Sequence, residues 1–155
     1  MKHWLWLCAL SIIFLSSPAN ADFYMRPKAG ATLSTGGDAR YSLGLSAGYR
    51  WTKNFSTEAG YSRLFGSGSV SNGDLVDADA ILHFPMGPAT VYASGGLGAL
   101  HIDAGSGDAW KQFIDFGSGI AFKLLALQIS TGVSYAIVKD ADDFIQPYVS
   151  VGLAL

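Results

Sequence analysis

The sequence is poor in charge and in cysteine. Asp, Glu, Lys and Arg make up 14% of the 155 residues, against about 25% in typical soluble domains. These charges are too few to cover an ordinary water-facing surface. The single cysteine, Cys8, lies in the N-terminal segment. The rest of the chain must therefore be stable without disulfides.

Basic clusters and long apolar runs are also missing. The net charge is −2 and the basic residues are scattered, which argues against a nucleic-acid-binding surface. No stretch reaches the roughly 20 continuous apolar residues that a membrane helix needs. Half of the residues are nevertheless hydrophobic, and 19 are Gly. This composition is compatible with membrane-spanning strands, because their alternating pattern is not detected by a search for continuous apolar runs.

Residues 1–21 have the features of a secretory signal peptide. Lys2 and His3 precede an apolar run from Trp4 to Leu15, and Ala19-Asn20-Ala21 follows. This pattern predicts export and cleavage after Ala21, which leaves residues 22–155 as one mature domain. The apolar run is too short for a spanning anchor helix, and the part of it before Cys8 is too short for a lipoprotein signal.

The stretch from Arg40 to Phe65 alternates apolar and polar residues throughout. A period of two indicates strands, and Thr52-Lys53-Asn54 is the predicted turn between two of them. If Trp51 faces Phe55, the register places Leu45 opposite Tyr61 and Tyr41 opposite Phe65. Aromatic residues then lie at both ends of one apolar face. This arrangement is typical of hairpins in outer-membrane barrels.

The same alternation continues along the mature chain and predicts eight strands. They cover residues 23–33, 40–51, 55–65, 74–84, 89–100, 110–123, 128–137 and 145–155. Connections at 34–39, 66–73, 101–109 and 139–143 are longer and polar, whereas those at 52–54, 85–88 and 124–126 are tight. Long connections at one end and short turns at the periplasmic end are typical of outer-membrane barrels. The predicted fold is all-β, an eight-stranded antiparallel up-and-down transmembrane β-barrel.

The direction of the apolar face separates a membrane barrel from a soluble one. A soluble barrel of the lipocalin type would turn the apolar face inward. Here the polar face is mainly Gly and Ser, which suits the narrow interior of eight strands and not a water-exposed exterior. The sequence therefore predicts apolar side chains facing lipid. The aromatic residues near the strand ends would form girdles, with Trp51, Phe55, Phe84 and Phe122 at the short turns and Tyr41, Tyr61, Phe65, Trp110 and Tyr135 at the long loops.

Two segments resemble a known group of proteins. The hairpin GLSAGYRWTKNFSTEAGYSRLFG and the final PYVSVGLAL resemble the small eight-stranded outer-membrane barrels of the OmpA transmembrane domain, OmpX/Ail and opacity-protein type. The resemblance covers the whole mature chain. It implies an outer-membrane location, contact with membrane lipid and lipopolysaccharide, and recognition of the last strand by the barrel-insertion machinery. It further implies a structural or surface-interaction role, adhesion or contact with an unidentified host ligand included, and no cofactor.

The face opposite the apolar one would line the lumen. Its charged and titratable residues are Arg26, Lys28, Arg40, Arg50, Glu58, Asp77, Asp79, His83, Asp115 and Lys123. Charges of both signs in a narrow interior should pair, because an isolated charge away from water is costly. Glu58 is diagonal to Arg50 in the predicted hairpin, so a contact between the two is expected. The sequence favours a structural plug of ion pairs, with a narrow ion or small-solute pore as the alternative.

Catalysis and metal binding find little support. A lipid A deacylase of the PagL kind is similar in size and would need Ser and His close together on the lipid side, with a carboxylate to orient the base. Only His83 and His101 remain in the mature chain, and neither has such a surrounding in the sequence. His101, Asp103 and Asp108 are too sparse to argue a metal site. We therefore predict a protein that is neither an enzyme nor a metal-binding protein.

Arg63 is a charged residue on the apolar face, near the outer end of the third predicted strand. A lipid-facing Arg costs about 2–4 kcal/mol at the membrane midplane and about 0–1 kcal/mol near an interface. Its predicted height makes Arg63 tolerable, either as an interfacial residue without a partner or in contact with anionic lipopolysaccharide headgroups.

Overall fold

The computed structural model describes residues 22–103, 110–124 and 127–154. The predicted signal peptide, residues 1–21, and the last residue, Leu155, lie outside this range. The described residues contain no helix long and apolar enough to cross a membrane.

Eight antiparallel strands form a closed barrel in which each strand pairs with its neighbours in sequence and β1 pairs with β8. The strands are β1 Asp22–Ser34, β2 Ala39–Thr52, β3 Phe55–Phe65, β4 Gly73–Met86, β5 Ala89–Ile102, β6 Lys111–Leu124, β7 Leu127–Val138 and β8 Phe144–Ala154. The predicted fold class and strand number are confirmed. Because the sheet closes on itself, no strand is left with an unpaired edge.

The register of the β2–β3 hairpin is as predicted over most of its length. Leu45 lies opposite Tyr61, and Tyr41 lies opposite Phe65. The prediction is wrong at the turn, where Thr52 and not Trp51 lies opposite Phe55, since the register shifts between Arg50 and Thr52. A bulge of this kind places one extra residue on one strand and re-aims the side chains beside it.

The β4–β5 turn is tighter than the four residues 85–88 that the sequence suggested. Pro85 pairs with Thr90 and Met86 with Ala89, so the loop is Gly87 and Pro88 alone. Gly87 has a φ of 64°, which Gly adopts without steric cost. Gly at the first position and Pro with its fixed negative φ at the second suit a two-residue type II′ hairpin loop.

The two faces of the sheet are oriented as predicted. Apolar side chains point outward, and Tyr41 and Leu97 are 72% and 66% exposed. Small and polar side chains point inward, and Ser46 and Ser56 are almost fully buried. This is the reverse of a soluble barrel, whose apolar face fills the interior.

Candidate functional site

The lumen holds an ion triad in which one carboxylate serves two cations. Glu58 on β3 accepts a hydrogen bond from Arg26 Nη2 on β1, and its Oε1 lies 2.9 Å from Lys28 Nζ. The Glu58 side chain is only 1% exposed. The predicted contact of Glu58 with Arg50 is wrong, because Arg26 and Lys28 take both carboxylate oxygens.

Tyrosines bracket this ion triad. The Arg26 guanidinium lies 5.1 Å from the centre of the Tyr24 ring, and Lys28 Nζ lies 5.8 Å from that of Tyr148. The hydroxyls of Tyr92 and Tyr148 are 3.0 Å apart, and Tyr92 donates to the carbonyl of Thr131 at 3.2 Å. These contacts pack aromatic surface around the charges and leave little free space at mid-height.

Three carboxylates line a small cavity toward the long-loop end. Asp77 and Asp79 come from β4 and Asp115 from β6, and the cavity measures about 30 Å³. Lys28 also lines it, so the ion triad borders this acidic cavity. A volume of this order accommodates one or two water molecules.

Beyond the acidic cavity, the long-loop end of the lumen is filled by apolar side chains. The Phe113 and Phe144 rings meet edge to face with their centres 5.6 Å apart. Side chains from six strands form this apolar plug: Leu64, Leu75, Leu100, Phe113, Ala136, Val138 and Phe144. All are at most 8% exposed. This plug was not predicted from the sequence, although alternation puts all seven residues on the lumen-facing side, near the outer ends of their strands.

The remaining predicted lumen residues lie at the two ends of the barrel. Arg40 is at the long-loop rim, where its Nε donates to the carbonyl of Ser71 at 2.8 Å and its Nη2 lies 3.1 Å from Asp38 Oδ2. At the short-turn end, Arg50, His83 and Lys123 line an open cavity. Along the barrel axis, the predicted lumen residues therefore fall into three groups. Arg40 lies at the long-loop rim, the ion triad and the acidic cavity lie in the middle, and Arg50, His83 and Lys123 lie at the short-turn end.

A serine and a histidine do meet inside the barrel, which the sequence did not predict. Ser56 Oγ lies 2.8 Å from His83 Nε2. His83 Nδ1 has no hydrogen-bond partner among the described residues, and Ser56 is 0% exposed. The pair lacks the carboxylate that orients a catalytic histidine, and the serine hydroxyl is fully buried.

On the exterior, Arg63 belongs to an ion cluster at the long-loop end. It contacts Asp74 Oδ2 at 2.5 Å and Asp103 Oδ2 at 2.9 Å, and Tyr61 donates to Asp74 at 2.6 Å. One ligand atom from each of Asp74, His101 and Asp103 lies within 4.8 Å of the others, whereas Asp108 lies outside the described residues. Arg63 therefore pairs with both carboxylates of the group, which form an ion-pair network with it.

Eight of the nine predicted girdle residues have exposed side chains, whereas Phe55 is half-buried. Tyr135 donates to Asp143 of the last long loop at 2.7 Å, and Trp51 Nε1 donates to Thr57 at 3.0 Å. The amphipathic rings of Tyr and Trp suit a height where one side is apolar and the other wet.

Comparison with solved structures places this architecture among known barrels. The N-terminal β-barrel domain of Pseudomonas aeruginosa OprF superposes with a TM-score of 0.67 at 19% identity, over 85% of this chain and 97% of that one. Neisserial surface protein A (NspA) superposes with a TM-score of 0.64 at 18% identity, over 87% and 96%. The chain has the fold of the small eight-stranded outer-membrane barrels.

This barrel fold also includes an enzyme. The outer membrane enzyme PagL matches with a TM-score of 0.56 at 14% identity, over 84% of this chain and 99% of that one. No protein-family model matches the sequence, and no curated protein matches it as a relative. At these identities the barrel's likeness to solved structures extends to the fold, and its activity must be argued from its own residues.

Proposed function

We propose that the chain is an integral outer-membrane protein with a closed, non-conducting barrel and a structural or surface-interaction role. The observation that carries this proposal is the filled lumen. An ion triad occupies the middle, a cavity of only about 30 Å³ lies beyond it, and the apolar plug fills the long-loop end. An ion would have to cross all three, and burial in apolar surroundings is costly for a charge.

Planar-bilayer recording of the purified barrel tests this proposal against the alternative of a narrow pore. We expect no steady current above that of the protein-free membrane. Steady, defined conductance steps that scale with protein insertion would contradict the closed lumen and favour the pore.

The outer membrane is the location that the exterior supports. Apolar side chains surround the described barrel, and aromatic residues lie at both rims. Short turns would face the periplasm and long loops the cell exterior. Membrane lipid and lipopolysaccharide are then the surrounding partners, and the barrel-insertion machinery would read β8. We also propose that residues 1–21 are the signal peptide that directs export.

Hydrogen bonds join described parts of neighbouring long loops, which suits a surface-interaction role. Thr35 donates its backbone N–H to the carbonyl of Asp143 at 2.8 Å, and Asp103 donates to that of Asn72 at 2.9 Å. The likeness of this fold to that of NspA, a Neisserial surface protein, supports the same role. Cells carrying the barrel should bind host cells or matrix more than cells whose charged loop residues 139–142 are replaced by Gly and Ser. Equal binding would contradict the adhesion role.

We further propose that the chain has no catalytic activity, since Ser56 and His83 lack an orienting carboxylate and the exterior acids are held by Arg63. Mass spectrometry of lipid A from cells that express the protein should show unchanged acyl chains. Loss of an acyl chain would favour the enzyme alternative instead.

A further inference from the structure

The lumen opens at the short-turn end into a cavity of about 390 Å³, which we call the basic mouth. Arg50 at the end of β2, Lys53 in the β2–β3 turn and Lys123 at the end of β6 line it, and no Asp or Glu does so among the described residues. The wall between these cations is made of neutral residues, such as Thr90 and Gln128. The charged side chains that line the basic mouth are therefore all positive.

None of its three cations forms an ion pair with a side chain that the structure describes. Glu58, the nearest buried carboxylate along β3, is held by Arg26 and Lys28. Asp22 lies opposite Arg50 in the β1–β2 register. Even if this one acid is counted against the three cations, positive charge remains in excess at the basic mouth.

Two buried donors in the wall of the basic mouth also lack acceptors. Tyr24 donates to Ser56 Oγ at 3.3 Å, and Ser56 Oγ lies 2.8 Å from His83 Nε2. Ser56 Oγ accepts from Tyr24 and can donate its own proton to Nε2; in this arrangement the ring proton of neutral His83 lies on Nδ1. Neither this Nδ1 nor Arg50 Nε has a partner among the described residues, and His83 is only 4% exposed. A buried donor without an acceptor costs about 1–3 kcal/mol.

We propose that the basic mouth is a binding site for a phosphate-type anion. Unpaired cations and donors without acceptors both call for an oxyanion, whose several oxygens accept charge-assisted hydrogen bonds. The Lys53 and Lys123 ammonium groups attract the anion at the opening, and Arg50 and His83 provide directed donors deeper in the wall. The same chemistry is offered by a free phosphate in solution and by the phosphate of an anionic lipid headgroup in the adjoining leaflet.

The histidine rings report on this site. His83 lies at the basic mouth and His101 at the other end of the barrel, so ¹⁵N NMR of the two rings gives a local signal and an internal control. Inorganic phosphate is titrated into the protein in nonionic micelles. In a second arm, nanodiscs of phosphatidylcholine are compared with nanodiscs that also contain phosphatidylglycerol.

The variant is the double change K53Q and K123Q, in exposed positions at the basic mouth. Its matched control is K111Q and K139Q at the long-loop end. We expect phosphate to shift the His83 signal and not that of His101. The K53Q/K123Q variant should bind roughly tenfold more weakly, because charge-assisted contacts are lost, whereas the control should bind as the unaltered protein does. The single change R50Q, which removes a directed donor, should also weaken binding.

The two arms separate the sources of the anion. A phosphate-dependent shift that the K53Q/K123Q variant weakens supports a free anion. A shift seen only with phosphatidylglycerol, and weakened by the same variant, supports a lipid headgroup. The proposal is overturned if the His83 signal does not shift in either arm. It is also overturned if the variant and its control alter the shift equally. Different migration of boiled and unboiled samples on gels verifies that each variant is folded.

Discussion

Glu58 pairs with two cations in a part of the lumen that is almost closed to water. Its side chain is 1% exposed, and those of Arg26 and Lys28 are 8% and 17% exposed. Removing one partner of such a group leaves a buried charge without compensation, which is strongly destabilising. The stability of the barrel interior therefore depends on this one carboxylate more than on any exposed ion pair.

The change E58Q should lower the free energy of unfolding by about 3–5 kcal/mol, since it removes the buried carboxylate that pairs directly with both Arg26 and Lys28. Urea unfolding of the barrel in lipid vesicles measures this loss. The control is D38N, because the Asp38 side chain is 53% exposed in its pair with Arg40 and exposed pairs contribute at most about 1 kcal/mol. Equal losses for the two variants would contradict the role given to Glu58.

For a single residue, the alternation predicts on which side of the sheet its side chain lies, but not which residue it contacts. Arg26 and Glu58 are separated by β2, where Ser46 lies opposite Arg26 and Gly48 lies opposite Glu58. Because Ser46 and Gly48 are so small, the long side chains of β1 and β3 meet above them. Alternation predicted the inward direction of all these residues. The contact across a strand depends on the shape of the closed lumen, which a pattern along one hairpin does not contain.

The two faces of one strand meet different surroundings, the packed lumen on one side and the exterior of the barrel on the other. On β6, Phe113 is 5% exposed within the apolar plug, while Phe116 is 58% exposed on the exterior. The inward ring packs against Phe144, and the outward ring would meet lipid. The same residue type therefore fills the interior in one case and forms the membrane surface in the other.

The change F113A should destabilise the barrel by about 3–5 kcal/mol, because it opens a cavity in the apolar plug. F116A on the same strand should cost clearly less, since lipid fills the space that its ring leaves. Unfolding of both variants in the same vesicles provides the comparison. A larger loss for F116A would mean that the apolar plug is not packed as described.

The change G87A should destabilise the barrel by about 1 kcal/mol, because the φ of 64° is unfavourable for residues with a Cβ. The control is G95A in β5, where an added Cβ would lie 3.8 Å from the nearest atoms of Asp115 and Phe116. That is an ordinary contact distance, so we expect little change there. Vesicle unfolding again measures both, and a neutral G87A would rule out the strained turn.

The strands were predictable from their period of two, and their ends were not. Alternation continues through Pro85 and Met86 into the pairing with Thr90 and Ala89, although the composition of residues 85–88 suggested a turn. Similarly, the bulge between Arg50 and Thr52 leaves no mark in the alternation. Turn geometry follows from the backbone dihedrals of a few residues, which composition constrains only loosely.

The molecule as a whole is a barrel whose interior changes in character along its axis. A basic mouth lies at the short turns, the ion triad at mid-height and the apolar plug at the long loops. Closure and strand order followed from the sequence, because eight alternating segments with long and short connections allow few other folds. The apolar plug did not, since Leu64 and Phe113 contribute to it from separate strands that only the closed barrel brings together.

The most direct test of the account is gel migration of the protein from outer-membrane fractions, with and without boiling. An intact membrane barrel resists the detergent until it is heated, so boiled and unboiled samples should migrate differently and both should come from the outer membrane. Identical migration of the two samples, or recovery of the protein in the soluble periplasmic fraction, would contradict an integral outer-membrane barrel.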